Sequence, residues 1–266
     1  MVLNQINSTF FSKKKKSEHK IFFFLFKLFT KIYSNLMAKI EDILFKSKKF
    51  DQSFYRNGIT TNKLDFDANN CIKNVKKICL DYSITIHVLD KRDIEKLIKS
   101  VFNKDTQNFL SKITGFKYSI DYLRIYENHH VGKIDKQLNN MREAHYDKSF
   151  SKNMLKIFIP LNINIDSGPL KVFYINANKY DKINKKSKGI YEFLIGNGDT
   201  LYGVLPNLCW HQEGNPKRNF SSKQIMFQLN PSNQWEYRED LYLRQSIPEN
   251  KFPSLSSIFF KKIKIR

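Results

Sequence analysis

Residues 154–175 read MLKIFIPLNINIDSGPLKVFYI, and the fold class turns on them. Met154 to Leu161 is a short apolar run, Asp166-Ser167-Gly168-Pro169 is a turn signal, and Leu170 to Ile175 resumes a β-like pattern. The same strand–turn grammar extends in both directions. Lys117 to Tyr126, Glu143 to Asp147, Gly198 to Val204, Leu208 to Gln212 and Lys223 to Leu229 are further β-like runs. They are punctuated by Asn139-Asn140, Gly196-Asn197-Gly198-Asp199 and Gly214-Asn215-Pro216. The strands lie too close together for the crossover helices of a parallel sheet. The expectation is therefore a mainly β sandwich or barrel with flanking helices.

Upstream, Ser83 to Leu89 reads as a strand, and Asp90 to Gly115 carries Ile94, Leu97, Ile98, Val101 and Phe102 at helical spacing. Ser47 to Asn70 is polar and weakly patterned, which predicts a linker or extended lead-in. At the N-terminus, Lys13 to Lys16 precede Ile21-Phe22-Phe23-Phe24-Leu25-Phe26, a run that Lys27 interrupts after six residues, far short of the roughly 20 needed to cross a bilayer. No small-residue cleavage site follows, which argues against a secretory signal. On a helical period Phe22, Leu25, Phe29, Ile32, Leu36 and Ile40 share one side, with Lys27, Lys31 and Lys39 largely off it. Such a helix could lie on an anionic membrane or pack on the domain; either way it reads as an appendage. The expected organisation is a basic amphipathic extension over 1–46, a β-barrel domain with a helical lead-in over 47–250, and a basic tail over 251–266.

The composition fits a folded chain: of 266 residues, 41% are hydrophobic and 14% aromatic, enough to close a core. The net charge of +21 could serve nucleic acid, an anionic surface or an acidic substrate. The excess is mostly lysine in a chain heavy in Asn, Ile and Phe, the mix an AT-rich genome would write, and no Arg-rich helix or RNP-type motif accompanies it. Nucleic acid is not expected as a partner. Cys71, Cys79 and Cys209 are an odd set without a CxxC, excluding a disulfide scaffold or zinc ribbon and suggesting a reducing compartment. Cys71 and Cys79 read as small buried hydrophobes. The location expected is cytoplasmic, with room for peripheral contact at the inner membrane face.

His145-Tyr146-Asp147 is the first candidate to carry chemistry. In a strand, residues i and i+2 share a face, so the imidazole and the carboxylate can reach one point. A second histidine on a later strand would complete a 2-His-1-carboxylate facial set, the arrangement suited to non-haem Fe(II). His211, near the end of Leu208 to Gln212, is the partner chosen; the alternative is a surface histidine before the Gly-Asn-Pro loop. In Lys223-Gln224-Ile225-Met226-Phe227-Gln228-Leu229, parity places Lys223 with three apolar residues, where a buried ammonium would need an anionic partner. Arg218 and Lys156 compete for that role. Tyr122, Arg124 and Tyr126 alternate on the strand before the site, and Tyr126 is a candidate to line a cosubstrate pocket; cross-strand packing is the alternative. His129-His130 read as loop residues and His87 as a satisfied strand histidine. Phosphate loops, G-x-S-x-G elbows and H-E-x-x-H motifs are missing, so hydrolase and nucleotide-dependent chemistry lack their residues.

The order of features over roughly Tyr118 to Ser232 resembles the 2-oxoglutarate/Fe(II)-dependent oxygenases of the phytanoyl-CoA dioxygenase-like branch. The matching pieces are His145-Tyr146-Asp147, Ser167-Gly168-Pro169-Leu170 between two strands, Gly198-Asp199 ahead of His211, and a basic residue twelve positions beyond it. Two departures are Lys171-Val172-Phe173-Tyr174, where the family often has a P-G-S-H turn, and Lys223, where arginine is usual. The resemblance implies a double-stranded β-helix in which His145, Asp147 and His211 bind Fe(II). It further implies that 2-oxoglutarate is held by a basic residue, that O2 is consumed, and that a C–H bond of a small-molecule, lipid or glycan substrate is hydroxylated with release of succinate and CO2. Two other classes fit the residues alone: a non-oxidative cupin-like sugar-binding or isomerising barrel, and a basic module for membranes or nucleic acid.

Overall fold

The computed structural model describes residues 18–47, 49–51, 53–72, 75–81, 83–132, 144–147, 151–175, 191–245 and 261–266, with side chains of the first helix described from residue 32. The helices are α1 (Glu18–Phe45), α2 (Ser53–Asn57), α3 (Lys91–Val101), α4 (Lys104–Thr114) and the single-turn α5 (Leu241–Arg244). The strands in chain order are β1 (Ile59–Lys63), β2 (Lys76–Asp81), β3 (Ile84–Val88), β4 (Lys117–His129), β5 (Leu155–Leu161) and β6 (Lys171–Phe173). They continue with β7 (Tyr191–Phe193), β8 (Thr200–Val204), β9 (His211–Gln212), β10 (Ser221–Ser232), β11 (Glu236–Arg238) and β12 (Lys262–Lys264).

The main sheet runs β1-β8-β5-β10-β4-β11-β12, with β3 also paired to β4 and β2 to β3; the second sheet runs β7-β6-β9. An isolated antiparallel bridge, His145 to His211, adds one further position beside β9. From β4 to β10 the chain passes repeatedly between the sheets. β4, β5, β8 and β10 lie in the main sheet, and His145, β6, β7 and β9 in the second. This alternation is the double-stranded β-helix, or jelly roll.

Both faces of the main sheet are covered. On one, Ile225, Phe227 and Leu229 of β10 join Ile157, Ile159, Leu123 and Ile125 beneath Leu97, Ile98, Val101, Phe102 and Leu110 of the helical layer. Phe102 and Phe227 meet edge to face with ring centroids 5.1 Å apart. On the other, Tyr122, Tyr126, Phe158, Tyr202 and Met226 meet Leu170, Val172 and Leu194 from the second sheet. Each such fully buried side chain contributes about 1.5–3 kcal/mol relative to exposure.

Five local expectations change. The helical stretch from Asp90 to Gly115 is two helices, because Asn103 caps a new one: its side chain accepts the Thr106 N–H at 2.9 Å, as Asp90 accepts that of Asp93 for α3. Ser47 to Asn70 is not a linker, for it contains α2 and β1, and β1 pairs along its length with β8. Only Ile59 of this edge strand is buried, with Thr60 and Asn62 half-buried and Thr61 and Lys63 solvated, so its polarity hid it. The tail read over 251–266 ends in β12, paired with β11 in the main sheet, while 251–260 lie outside the described residues. His129 closes β4 rather than sitting in a loop, and Cys79 is exposed although Cys71 is buried.

Gly168 and Gly214 show why the turn after β5 carries glycine. A Cβ on Gly168, at φ +67°, would lie 2.4 Å from the Pro216 nitrogen, and one on Gly214 would lie 2.6 Å from the Gly168 carbonyl carbon. Two backbones pass there without room for a side chain.

The helix α1 is docked at its C-terminal half. Ser34, Ala38 and Glu41 are buried against the segment before β5, where Asn153 Nδ2 donates to the Ala38 carbonyl at 3.2 Å and to Glu41 Oε2 at 3.3 Å. Ser151 Oγ also donates to Glu41. Burial pushes the Glu41 carboxyl up to about 7, against the lowering effect of Ser151 and Asn153. Because this value lies above the ordinary 4.5, the stability Glu41 contributes is complete below pH 4.5 and lost as pH rises through 7. We expect wild-type thermal stability to fall across this window by on the order of 2 kcal/mol. Glu41→Gln, which keeps an acceptor for Ser151, should flatten that fall; parallel melting profiles for the two proteins would show that Glu41 does not titrate as described.

Candidate metal centre

His145, Asp147 and His211 come together at the edge of the second sheet. His145 and His211 exchange backbone hydrogen bonds, N–H to carbonyl at 3.0 Å in each direction, and the Asp147 N–H donates to the Pro206 carbonyl at 2.9 Å. Val172 is the cross-strand partner of His211 on its other side. With three backbone anchors the H-x-D segment is extended, so residues 145 and 147 share a side while Tyr146 points the other way. There the Tyr146 ring meets the indole of Trp210, centroids 4.5 Å apart. The two imidazoles lie with centroids 4.5 Å apart, and one ligand atom from each of the three residues falls within 4.8 Å of the others.

Protons decide what this cluster can hold. His211 Nδ1 lies 3.2 Å from the Cys209 carbonyl, which can only accept, so Nδ1 carries the hydrogen and Nε2 bears the lone pair. That lone pair faces Asp147 Oδ1 at 3.4 Å, and His145 Nε2 stands 3.9 Å from the same oxygen. Two acceptors turned toward each other require a cation between them, a proton or a metal ion. The three ligand atoms lie within 4.8 Å of one another, so side-chain movements on the order of an ångström would let them share one ion. Two imidazoles and one carboxylate are the donor set of a non-haem Fe(II) facial site. The residues fit the group.

Asp147 has a second partner. Lys156, from the middle of the main sheet, reaches across the interior and places Nζ 2.6 Å from Oδ2, with only 7% of its side chain exposed. Burial alone would raise the Asp147 pKa, but the Lys156 ammonium and His211 outweigh it and hold the carboxyl well below the usual carboxylate range. The carboxylate is thus anionic and divided in function, one oxygen on the lysine and the other toward the histidines. His145 is the open member, its side chain 43% exposed against 9% for His211.

The remaining expected residues separate. Tyr126 lies inside the jelly roll among the residues shared by the two sheets. Lys223 does not: it pairs with Leu161 and Glu127 and shares the parity of Ile225 and Phe227, the face under the helices. The alternation was read rightly, but the apolar side it selects faces away from the triad. Arg218 is exposed in the loop between β9 and β10. Two interior residues were not singled out. Gln224, adjacent to Lys223, is buried and donates through Nε2 to the Tyr126 hydroxyl, and Gln228 lies opposite Lys156 and Tyr122. Arg124 belongs to the same face: it pairs with Met226, and its guanidinium lies 5.4 Å from the Tyr122 ring centre. On the interior faces of β4, β5 and β10 the cations are Arg124 and Lys156.

Other histidines are engaged elsewhere. His87 Nε2 pairs with Glu127 at 2.9 Å, His129 Nε2 with Thr85 Oγ1 at 2.8 Å, and His130 Nδ1 with the Pro216 carbonyl at 2.7 Å. A recess of about 820 Å³ opens on the opposite face of the second sheet, lined by Lys171, Phe193 and Gln212, whose neighbours Val172 and His211 face inward.

No protein-family model matches the chain, and no curated protein matches it by sequence. Among solved structures it is similar to the epimerase SnoN in complex with Fe3+, alpha ketoglutarate and nogalamycin RO, at 9% identity and TM-score 0.47, covering 75% of this chain and 90% of that one. It is also similar to a 2OG-Fe(II) oxygenase family oxidoreductase from Burkholderia pseudomallei, at 10% identity and TM-score 0.46, covering 67% and 86%. HygX from Streptomyces hygroscopicus with nickel, 2-oxoglutarate and hygromycin B bound gives 6% identity and TM-score 0.46, covering 68% and 86%.

The clamp on Asp147 makes a stability prediction. Lys156→Met leaves a buried carboxylate without its counter-charge and should cost about 3–5 kcal/mol in denaturant unfolding. Adding Asp147→Asn should recover most of that loss. A double mutant as unstable as the sum of two independent singles would show that the pair is not coupled.

Proposed function

We propose that the chain is a non-haem iron(II)- and 2-oxoglutarate-dependent oxygenase that hydroxylates a C–H bond of a small-molecule substrate. The observation that carries this reading is the convergence of His145, Asp147 and His211 between the sheets of a jelly roll, with acceptor lone pairs facing one another. Support for the finer placement, beside the phytanoyl-CoA dioxygenase-like branch, is the Gly168-Pro169-Leu170 turn between β5 and β6 and its packing on Gly214.

His145, Asp147 and His211 would hold the iron, which together with 2-oxoglutarate supplies the oxidising power drawn from O2, succinate and CO2 leaving as products. The chain's own residues do the rest. Lys156 keeps Asp147 ionised and presents a single oxygen to the histidines, fixing the carboxylate as a one-atom ligand. Arg124, with the Tyr126–Gln224 pair on the same interior face, is the cationic and hydrogen-bonding set suited to the far carboxylate of the cosubstrate. Phe158, Tyr202, Val204 and Met226 line the interior and exclude water around the reacting groups. The exposure of His145 opens the site on that side, and a substrate enters there. The substrate classes proposed are small molecules, glycans and lipids; the interior supplies both aromatic and amide surfaces.

The test is direct. Purified protein should bind one Fe(II), and anaerobic 2-oxoglutarate should then produce a weak charge-transfer absorption that His145→Ala or Asp147→Ala removes while circular dichroism is unchanged. In the presence of O2, succinate should form. Protein that binds iron without the absorption and without succinate would instead support a non-oxidative cupin-like barrel.

The assignment of the anchor separates two cations. Arg124→Met should raise the KM for 2-oxoglutarate by roughly 10- to 100-fold, the value of a lost charge-assisted hydrogen bond. Lys223→Met should leave it within about twofold, since Lys223 lies on the helix-covered face. The reverse ranking would return the anchor to Lys223.

A further inference from the structure

The helix α1 is mounted on the domain the wrong way round for an ordinary amphipathic helix. Its described inward face is small and polar over Ser34, Ala38 and Glu41, and only Phe45 at its C-terminal end packs on the core from that side. Its outward face carries Ile32, Leu36, Ile40, Ile43 and Leu44, exposed by 58%, 52%, 38%, 82% and 62%. Steps of four, four and three place 32, 36, 40 and 43 in one stripe along the helix. A surface helix normally turns that stripe to the core and its charges to water. The reversal is held by specific contacts. Asn153 and Ser151 grip Glu41, Asn153 grips the Ala38 carbonyl, and Lys46 pairs with Asp42 at 3.1 Å while lying 4.8 Å from the Phe50 and Tyr55 ring centres. The apolar stripe is therefore presented outward by construction.

Charge selects what covers it. Lys39 is exposed on the flank of the stripe, the exposed Asp42 on the same side is neutralised by Lys46, and in sequence Lys27, Lys31 and the Lys13 to Lys16 run precede it. The chain carries +21 overall, so a second copy laid on this face would bring two strongly positive molecules together. An anionic lipid surface offers both missing partners at once, acyl chains for the stripe and phosphates or carboxylates for the lysines. No helix of the described residues is long and apolar enough to cross a membrane, so contact is in the plane of the interface.

We propose that the outward face of α1 docks the protein on an anionic lipid bilayer, with Ile32, Leu36, Ile40, Ile43 and Leu44 entering the headgroup–acyl boundary. The inference is independent of iron and of the oxygenase reading, because its measurement is partitioning and not turnover.

The experiment is co-sedimentation of the full chain with extruded vesicles of phosphatidylcholine alone or with about one-third phosphatidylserine. Binding to the anionic vesicles should be at least about tenfold tighter than to the neutral ones and should weaken as salt is raised. Leu36→Glu with Ile40→Glu should abolish it, and Lys39→Glu should reduce it severalfold. Ile43→Ser, at the most exposed position, is the mild variant that cannot disturb the core and should also weaken binding. Equal binding to neutral and anionic vesicles would overturn the proposal, as would binding unaffected by these substitutions. A dimer in light scattering that Leu36→Glu with Ile40→Glu dissolves, without vesicle binding by the parent, would overturn it in favour of a second copy.

Discussion

The ion pair between Asp147 and Lys156 ties the two sheets together at the site. Asp147 belongs to the edge of the second sheet and Lys156 to the middle of the main one, and their side chains meet at 2.6 Å in the interior. Removing both charges from water costs several kcal/mol per ion, so the pair adds less to net stability than its closeness suggests. Its effect is on geometry. A shift of one residue in β5 would send Lys156 to the helix-covered face and leave Asp147 buried and unpaired. The strand register and the orientation of the carboxylate are therefore one constraint. His211 is bound into the same arrangement, since Cys209 fixes its tautomer and His145 fixes its backbone.

How much of this is legible before folding depends on whether a position is set locally. Although 144–147 holds only a bridge at His145 and only His211–Gln212 of the run over 208–212 is strand, most of the β-like runs and the i, i+2 relation of His145 and Asp147 are local and survive in the structure. So does the pairing of His211 with that dyad, which the order of motifs along the chain anticipates. Lys223 shows where alternation stops being informative. In a sheet with one wet face, parity separates inside from outside; β10 is covered by helices on one face and by the second sheet on the other. Both parities are buried, so an ammonium grouped with isoleucine and phenylalanine is assigned to a face without the face being known. The glutamines carry the missing signal. Gln224 and Gln228 occupy the other parity, and buried amides mark the polar interior more reliably than an amphipathic lysine does.

The other departures follow the same logic. β1 is polar because it is an edge strand, and only its pairing with β8 reveals it. The break between α3 and α4 is a single capping residue, Asn103, inside an otherwise continuous helical pattern. The N-terminal helix is the opposite case. Its periodicity is strong, yet period alone cannot say which face meets the domain, and the buried Glu41 with Asn153 and Ser151 decides it against the usual expectation.

The charges of the interior also bear on the order in which the proposed oxygenase would be loaded. Asp147 and Lys156 cancel each other's charge where the three ligand atoms converge. In the proposed oxygenase a divalent cation entering alone would leave a partly dry space positive, and a dicarboxylate entering alone would leave it negative. Entering together the two would cancel, so each would lower the electrostatic cost of the other. Gln224 enters this balance through what it lacks. A cation at its position would strengthen binding of the dianion without iron, whereas a neutral amide on Tyr126 would leave the cosubstrate dependent on the metal. In the proposed oxygenase, coupling between iron and cosubstrate would follow from β10 placing its lysine on the far side of the sheet.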